Sequence, residues 1–309
     1  MTAAAIHVVV ILAVSSFVCS LTSRSVWSAA GYNCNISTTK SYVCTTNDSH
    51  PFPLQLDKNT KTLVIEYLGH TGFKLTKDMM DHYPKLQALT LQGNLTEIEE
   101  GAFLDAKNIK QLIITKTLLR EFPDHAFGNA TSLKILRLNY NPMLSDIKTT
   151  VISSLTHVKY ADLSYSGFPI CDNSTLMLSL HLLRKLTVLN LAGLGQAEKC
   201  ANSISGFLDS ISHVKELILS DSGFVYEDKA ILKPLYKVAD SGLDNSVQCG
   251  QRSMDFSNLR SLDFSNHRFR SLPSFILGSP MCRFENVTKL DLSAGLLTYI
   301  SMNESLQLC

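Results

Sequence analysis

Charge gives this chain no direction. Lys plus Arg number 28 and Asp plus Glu 27, for a formal net charge of +1. Such a balance supplies no bulk field to draw in nucleic acid or an anionic membrane. Catalytic signatures are missing too: the sequence holds no G-x-S-x-G, no H-E-x-x-H and no phosphate-binding glycine loop. It has no C-x-x-C pair and no Cys/His spacing suited to zinc, so neither a metal nor a cofactor is expected. His157, His181 and His213 each precede a strand by a few residues and read as solvated turn residues. Beyond the N-terminus no apolar run approaches the ~20 residues of a membrane-spanning helix. The C-terminus carries no lipid-anchor signal. An enzyme is the remotest of the possible function classes.

What is present is a repeated motif. Leu86-x-x-Leu89-x-Leu91 recurs as Ile109-x-x-Leu112-x-Ile114, Leu133-x-x-Leu136-x-Leu138 and Val158-x-x-Ala161-x-Leu163. It continues as Leu186-x-x-Leu189-x-Leu191, Val214-x-x-Leu217-x-Leu219, Leu259-x-x-Leu262-x-Phe264 and Val287-x-x-Leu290-x-Leu292. The steps between central residues are 23, 24, 25, 28, 28, 45 and 28. An apolar motif at this period marks a leucine-rich-repeat solenoid. The expected fold is an α/β curved horseshoe, with a parallel sheet on the concave face and irregular convex segments. Such a surface holds a partner; it is not built around a catalytic cleft.

The segments divide as follows. Residues 1–20 read as a secretory signal: Ala3 to Val18 is apolar apart from His7, Ser15 and Ser16, and small residues place cleavage near Ser20. Residues 21–60 form an N-terminal cap, pinned by a Cys34–Cys44 disulfide, that covers the open end of the array. Residues 61–309 form about nine repeats, the first a degenerate strand at Thr62–Tyr67, with an insertion at about 225–258. Cys171 and Cys200 occupy near-equivalent places in successive repeats, within plausible disulfide reach. Cys282 and Cys309 are also in register, and Cys249 competes for Cys282. With Cys19 gone, seven cysteines remain, so one lacks a partner within the chain. Seven sequons, at Asn35, Asn47, Asn94, Asn129, Asn173, Asn286 and Asn303, are candidate glycosylation sites. The array stops at Cys309 with no closing cap, and we expect it to be either a truncated or a soluble form.

Period-two alternation sends the two flanking apolar residues of each L-x-L into the core and the middle one to the concave face. On the convex side, Ile98-x-x-Gly101-Ala102-Phe103 matches Phe122-Pro123-x-x-Ala126-Phe127, and the two Phe rings are expected to stack. A turn slot three residues after the last strand leucine wants Asn, to bond neighbouring backbone. It holds Asn94, Thr117, Asn141, Ser166, Leu194, Ser222, His267 and Gly295 in turn. An irregular solenoid is expected after about residue 165. At Asn94 the slot and the sequon conflict, because a ladder amide is buried and a glycosylated one exposed.

The signal segment, the two-cysteine cap, the Leu-Thr-Glu-Ile-Glu-Glu-Gly-Ala-Phe stretch at 95–103 and the many sequons resemble the N-terminal part of a Toll-like receptor ectodomain, over about residues 30–300. Small matrix proteoglycans and neuronal guidance proteins share the repeat but usually carry a four-cysteine cap, which is absent here. The resemblance implies extracellular recognition of microbial molecules, in a receptor dimer in many cases. It implies a cell surface or endosomal location if a longer membrane-bound form exists. A secreted adhesion or matrix-binding protein is the competing expectation. The middle residues of the motifs are Thr90, Ile113, Arg137, Asp162, Asn190, Ile218, Asp263 and Asp291. Arg137 and Asp162, with Tyr140, Tyr160 and Tyr165 at flanking concave positions, form the candidate ligand patch, since Tyr and Arg are frequent interface anchors. The lateral loops, including 225–258, compete with it. Asp263 and Asp291 read as ordinary surface charges.

Overall fold

The computed structural model describes residues 26–29, 32–38, 40–48, 51–128, 130–169, 175–194, 211–221, 257–266 and 286–295. The expected signal segment, Cys171, Cys200, Cys249, Cys282, Cys309, Asn129, Asn173, Asn303 and all but the last residues of the 225–258 insertion lie outside them. Among the described residues no helix is long and apolar enough to cross a membrane.

The chain opens with β1 (Val26–Ala29), β2 (Tyr32–Thr38) and β3 (Ser41–Thr46). β2 runs antiparallel to both β1 and β3. Cys34 sits directly opposite Cys44 in the β2–β3 register, and the two sulfurs are bonded. β3 then lies parallel to β4 (Thr62–Tyr67), where the solenoid begins. After the short β5 (Phe73–Leu75) come β6 (Ala88–Gly93), β7 (Leu95–Ile98), β8 (Gln111–Thr115), β9 (Ile135–Arg137), β10 (Tyr160–Asp162) and β11 (Val188–Asn190). β12 (Glu216–Ile218), β13 (Ser261–Asp263) and β14 (Lys289–Asp291) complete the series. The main sheet is ordered β1-β2-β3-β4-β6-β8-β9-β10-β11-β12-β13-β14, and β5 pairs with β7 in a second, parallel sheet. The central motif residues fall in one row, Leu89, Leu112, Leu136, Ala161, Leu189, Leu217, Leu262 and Leu290. Leu63 aligns with Leu89, which fixes the register of the degenerate first strand.

Burial follows the alternation. Leu89 and Leu91 are buried and Thr90 between them is half-exposed; Leu112, Ile113 and Ile114 repeat the pattern. The helices are too short to persist alone, since isolated helices under ~12 residues are marginal. They hold because they dock. α1 (Lys77–Asp81) is capped by the Thr76 hydroxyl, which accepts from Met79 N at 3.4 Å, and buries Met80. α2 (Thr149–Ser154) buries Val151 and Ile152, and α3 (Thr175–Ser179) packs beside it. On the convex side Phe103 and Phe127 stack with centroids 5.0 Å apart and planes at 14°; Phe122 adds a second stacked ring at 5.9 Å.

Two polar devices join the turns. The Asp48 carboxylate in the cap accepts from His70 N at 3.0 Å, Thr71 N at 2.8 Å and the Thr71 and Tyr67 hydroxyls. These donors, the Thr71 hydroxyl foremost, hold the Asp48 carboxyl well below the usual carboxylate range. Further along, buried Asn141 donates to Ile114 O (2.8 Å) and Leu138 O (2.9 Å) and accepts from Thr117 N (2.9 Å) and Thr117 Oγ1 (2.8 Å). Ser166 Oγ accepts from Asn141 N at 3.2 Å and donates to Leu138 O at 2.6 Å. The Asn slot thus works with Thr and Ser in it, because each hydroxyl replaces part of what the amide does.

Candidate recognition surface

Three of the five candidate residues lie on β9 and β10. Arg137 is the middle residue of its motif, and Asp162 pairs with it in register. Tyr160 precedes Asp162 by two, so its ring shares the concave face. The Arg137 guanidinium lies over that ring, 5.1 Å from the centroid, a cation–π contact. Burial, foremost, raises the Tyr160 hydroxyl above its ordinary range. The Arg137 Nε is buried with no hydrogen-bond partner. Asp162 does not answer it with a salt bridge: its Oδ1 accepts from Ser164 N (3.2 Å) and Ser164 Oγ (2.6 Å), and the residue is buried.

That use of Asp162 recurs. Asn190 Oδ1 accepts from Ala192 N at 3.0 Å, Asp263 Oδ1 from Ser265 N at 2.8 Å and Asp291 Oδ1 from Ser293 N at 2.9 Å. Asp263 and Asp291 are thus more than surface charges. Each side chain closes a turn at the end of its own strand, as Asx side chains do. The recurrence of Asp or Asn in the middle of L-x-L is the sequence signal that could have revealed it.

Tyr140 and Tyr165 are placed differently from the expectation of flanking concave positions. They stand past the ends of β9 and β10, in turns, with φ of 57° and 52°. The same place in the eight repeats from β6 onward is left-handed: Gly93, Lys116, Tyr140, Tyr165, Gly193, Asp221, Asn266 and Ala294. The reason is geometric. The residue's N–H continues the ladder, as in Tyr140 N to Ser164 O (2.9 Å), Tyr165 N to Ala192 O (2.8 Å) and Gly193 N to Ser220 O (2.8 Å). The chain must then leave the sheet sharply for the convex side. Gly, Asn and Asp tolerate this conformation, but Lys and Tyr pay a steric cost.

Along this lateral row the Tyr140 and Tyr165 rings stack, with centroids 4.9 Å apart and planes at 4°. Both remain open to solvent, at 45% and 37%. The Tyr165 ring passes over Gly193, where a Cβ would fall 2.2 Å from Tyr165 Cδ1. Its hydroxyl donates to Asp221 Oδ2, two repeats on, and Asn266 Nδ2 donates to Asp221 Oδ1. The bond to Asp221, together with burial, pushes the Tyr165 hydroxyl up to about 12. The candidate residues therefore form two adjoining pieces: Arg137, Tyr160 and Asp162 on the sheet, and a stacked Tyr140–Tyr165 ridge at its edge. Leu118 and Met143, both exposed, lie in the same set of turns. Among the described residues no group of three or more His, Cys, Asp or Glu is placed to hold a metal ion.

Of the described sequons, Asn35 and Asn47 are exposed. Asn94 is half-buried and its amide donates to Gly69 O at 2.7 Å, bridging two turns. Asn286, also half-buried, donates to Ser257 O at 2.7 Å, as Asn108 does to Pro84 O at 2.9 Å in the same repeat position.

A family profile described as "Leucine rich repeat" matches residues 84–143. No curated protein matches the chain in sequence. Among solved structures, the chain is similar to TLR13 in its complex with ssRNA13, at 22% identity and a TM-score of 0.56, over 82% of this chain and 36% of that one. It is similar to Drosophila Toll in the Toll–Spätzle complex, at 19% identity and a TM-score of 0.56, over 80% of this chain and 32% of that one. The chain thus spans about a third of the length of either protein. At this identity the likeness speaks for the fold. The parallel register, the buried L-x-L rows and these matches together make the chain a leucine-rich-repeat solenoid that resembles the ectodomains of Toll-type receptors.

Proposed function

We propose that the chain is a non-enzymatic, extracellular ligand-recognition module acting in innate-immune pattern recognition. One observation carries this reading. A half-buried arginine held over a tyrosine adjoins an exposed, stacked tyrosine pair at left-handed turn positions that the backbone disfavours for Tyr. Tyr140 and Tyr165 occupy left-handed positions where Gly or Asn would serve the backbone better, and as exposed stacked rings they suit contact with a partner. The TLR13 neighbour was solved with RNA and the Toll neighbour with the protein Spätzle, which supports ligand binding by this kind of solenoid. On this reading residues 1–20 direct secretion, 21–60 cap the array and 61–309 form it. Arg137, Tyr140, Tyr160 and Tyr165 contact the ligand, a protein or a microbial molecule, and Asp162, buried beside Arg137, shapes the patch by closing its own turn onto Ser164.

The test is binding of the purified chain to fractionated microbial lysate and, in parallel, to solubilised extracellular matrix. We expect saturable binding to a microbial fraction. The double substitution Arg137→Glu with Tyr140→Ala should weaken it at least tenfold, since hot-spot Arg and Tyr residues are worth about 2 kcal/mol or more. Unchanged binding by the double variant would remove the patch from the site, and binding to matrix alone would favour an adhesion role.

A further inference from the structure

The sequons differ in where the fold puts them, and one stands on the concave face. In the β2–β3 pair Asn35 lies directly opposite Val43, and opposed residues of an antiparallel pair share a face. Val43 aligns with Val64, Val64 with Thr90, Thr90 with Ile113 and Ile113 with Arg137. The row of concave middle residues therefore continues into the cap as far as Asn35, with only β1 outside it, where Val26 stands opposite Asn35. Its neighbour Cys34 points the other way, into the core. Asn35 is exposed, and Val43 beside it is a large apolar side chain left 43% open.

We propose that Asn35 carries an N-linked glycan that covers the cap end of the concave face, over Val43 and Val64, while Asn94 and Asn286 stay unmodified. This rests on the secretory reading above. In the reaction the Asn35 amide nitrogen bonds to the anomeric carbon of a lipid-pyrophosphate-linked oligosaccharide. The bond from that carbon to the pyrophosphate oxygen breaks, the lipid pyrophosphate leaves, and the amide gives up one proton to base. Asn35 has open solvent in front of it to hold the sugar. Asn94 and Asn286 do not: each amide is half-buried and spans the gap to the preceding turn at 2.7 Å. A glycosylated amide keeps one N–H, so the bond could survive, but the sugar would have to fit between turns.

The consequence is a division of the concave face. Five strand steps separate β2 from β9 in the sheet order. At ~4.8 Å each these set Asn35 about 24 Å from Arg137. Sugar covers the apolar start of the row, and the Arg137–Tyr160 region stays open to a ligand.

The full chain is expressed in a mammalian secretory line, and its peptides are released by peptide N-glycosidase in heavy-oxygen water, which labels formerly glycosylated Asn. Label at Asn35 and none at Asn94 or Asn286 is the expected result. Ser37→Ala and Asn35→Gln should each abolish the Asn35 label. For coverage, the thiol of Val43→Cys should react with a bulky maleimide several-fold faster, above the wild-type background, once Ser37→Ala is added. An unlabelled Asn35 in a chain labelled at Asn47 overturns the proposal and leaves the secretory reading standing. A chain without label at any sequon overturns both. Label at Asn94 or Asn286, or equal thiol reactivity with and without Ser37→Ala, overturns the division of the face.

Discussion

Eight successive repeats turn at one left-handed residue each, and the side chains there do unequal work. Gly193 is the most constrained of those beside the candidate patch, with φ of 66° and the Tyr165 ring where a Cβ would go. Gly193→Ala should cost about 1–3 kcal/mol, the usual penalty for a forced left-handed conformation. It should also push Tyr165 away from Asp221. Urea unfolding reads the first effect. The second is read by titration, because the Tyr165 hydroxyl is pushed up to about 12 chiefly by its bond to Asp221. A group raised in the fold favours its protonated form there. Its contribution is intact below the ordinary value of 10.0 and is lost as pH climbs toward about 12. In alkaline titration followed by phenolate absorbance, Asp221→Asn should return one tyrosine toward its ordinary range. No change in the tyrosine profile would mean that the bond is absent in solution.

At the scale of the element, each turn is held by polar side chains as well as by leucines. Asn141 satisfies two carbonyls and one N–H from two successive turns, all of them buried. Asn141→Ala should therefore cost about 3 kcal/mol, the scale of leaving buried peptide groups unpaired. An Asn141→Ser variant should recover part of that, as Ser166 does at the same slot. On the convex side Phe127 stacks on both Phe103 and Phe122, and Phe127→Ala should cost about 3–5 kcal/mol. If urea midpoints shift as much for an exposed control such as Leu104→Ala, the stack is not what holds that edge. Much of this was legible in the chain. The L-x-L row gave strand positions and register, and the paired Gly-Ala-Phe and Ala-Phe segments gave the stack. The left-handed row was not legible, because Lys116, Tyr140, Tyr165 and Ala294 are residues that disfavour that conformation. Only the demand to keep one more ladder bond and then leave the sheet explains them there.

For the whole molecule, the solenoid is a stack of nearest-neighbour contacts that needs its open end closed. At the N-terminal end stand the β2–β3 hairpin, its disulfide and the Asp48 cluster. Reducing the Cys34–Cys44 bond should lower the stability of the cap by about 2–3 kcal/mol. The loss should appear first as faster hydrogen exchange in β2 to β4, with β9 to β11 little affected, since each turn leans only on its neighbours. Exchange rising equally along the array would show a more cooperative molecule than this geometry implies. The sequence by itself determined the architecture, because a period near 24 with apolar residues two apart admits one way to stack the motif leucines in a common row. It also determined the cap disulfide, because two cysteines ten apart before the first strand have short hairpin reach. Only the tertiary structure decided which polar residues meet. Tyr165 and Asp221 are 56 positions apart in the chain and become neighbours because stacking runs at right angles to the strands. Asn35 came to lie on the same face as Arg137 because the antiparallel turn of the cap set its parity, which no repeat period encodes.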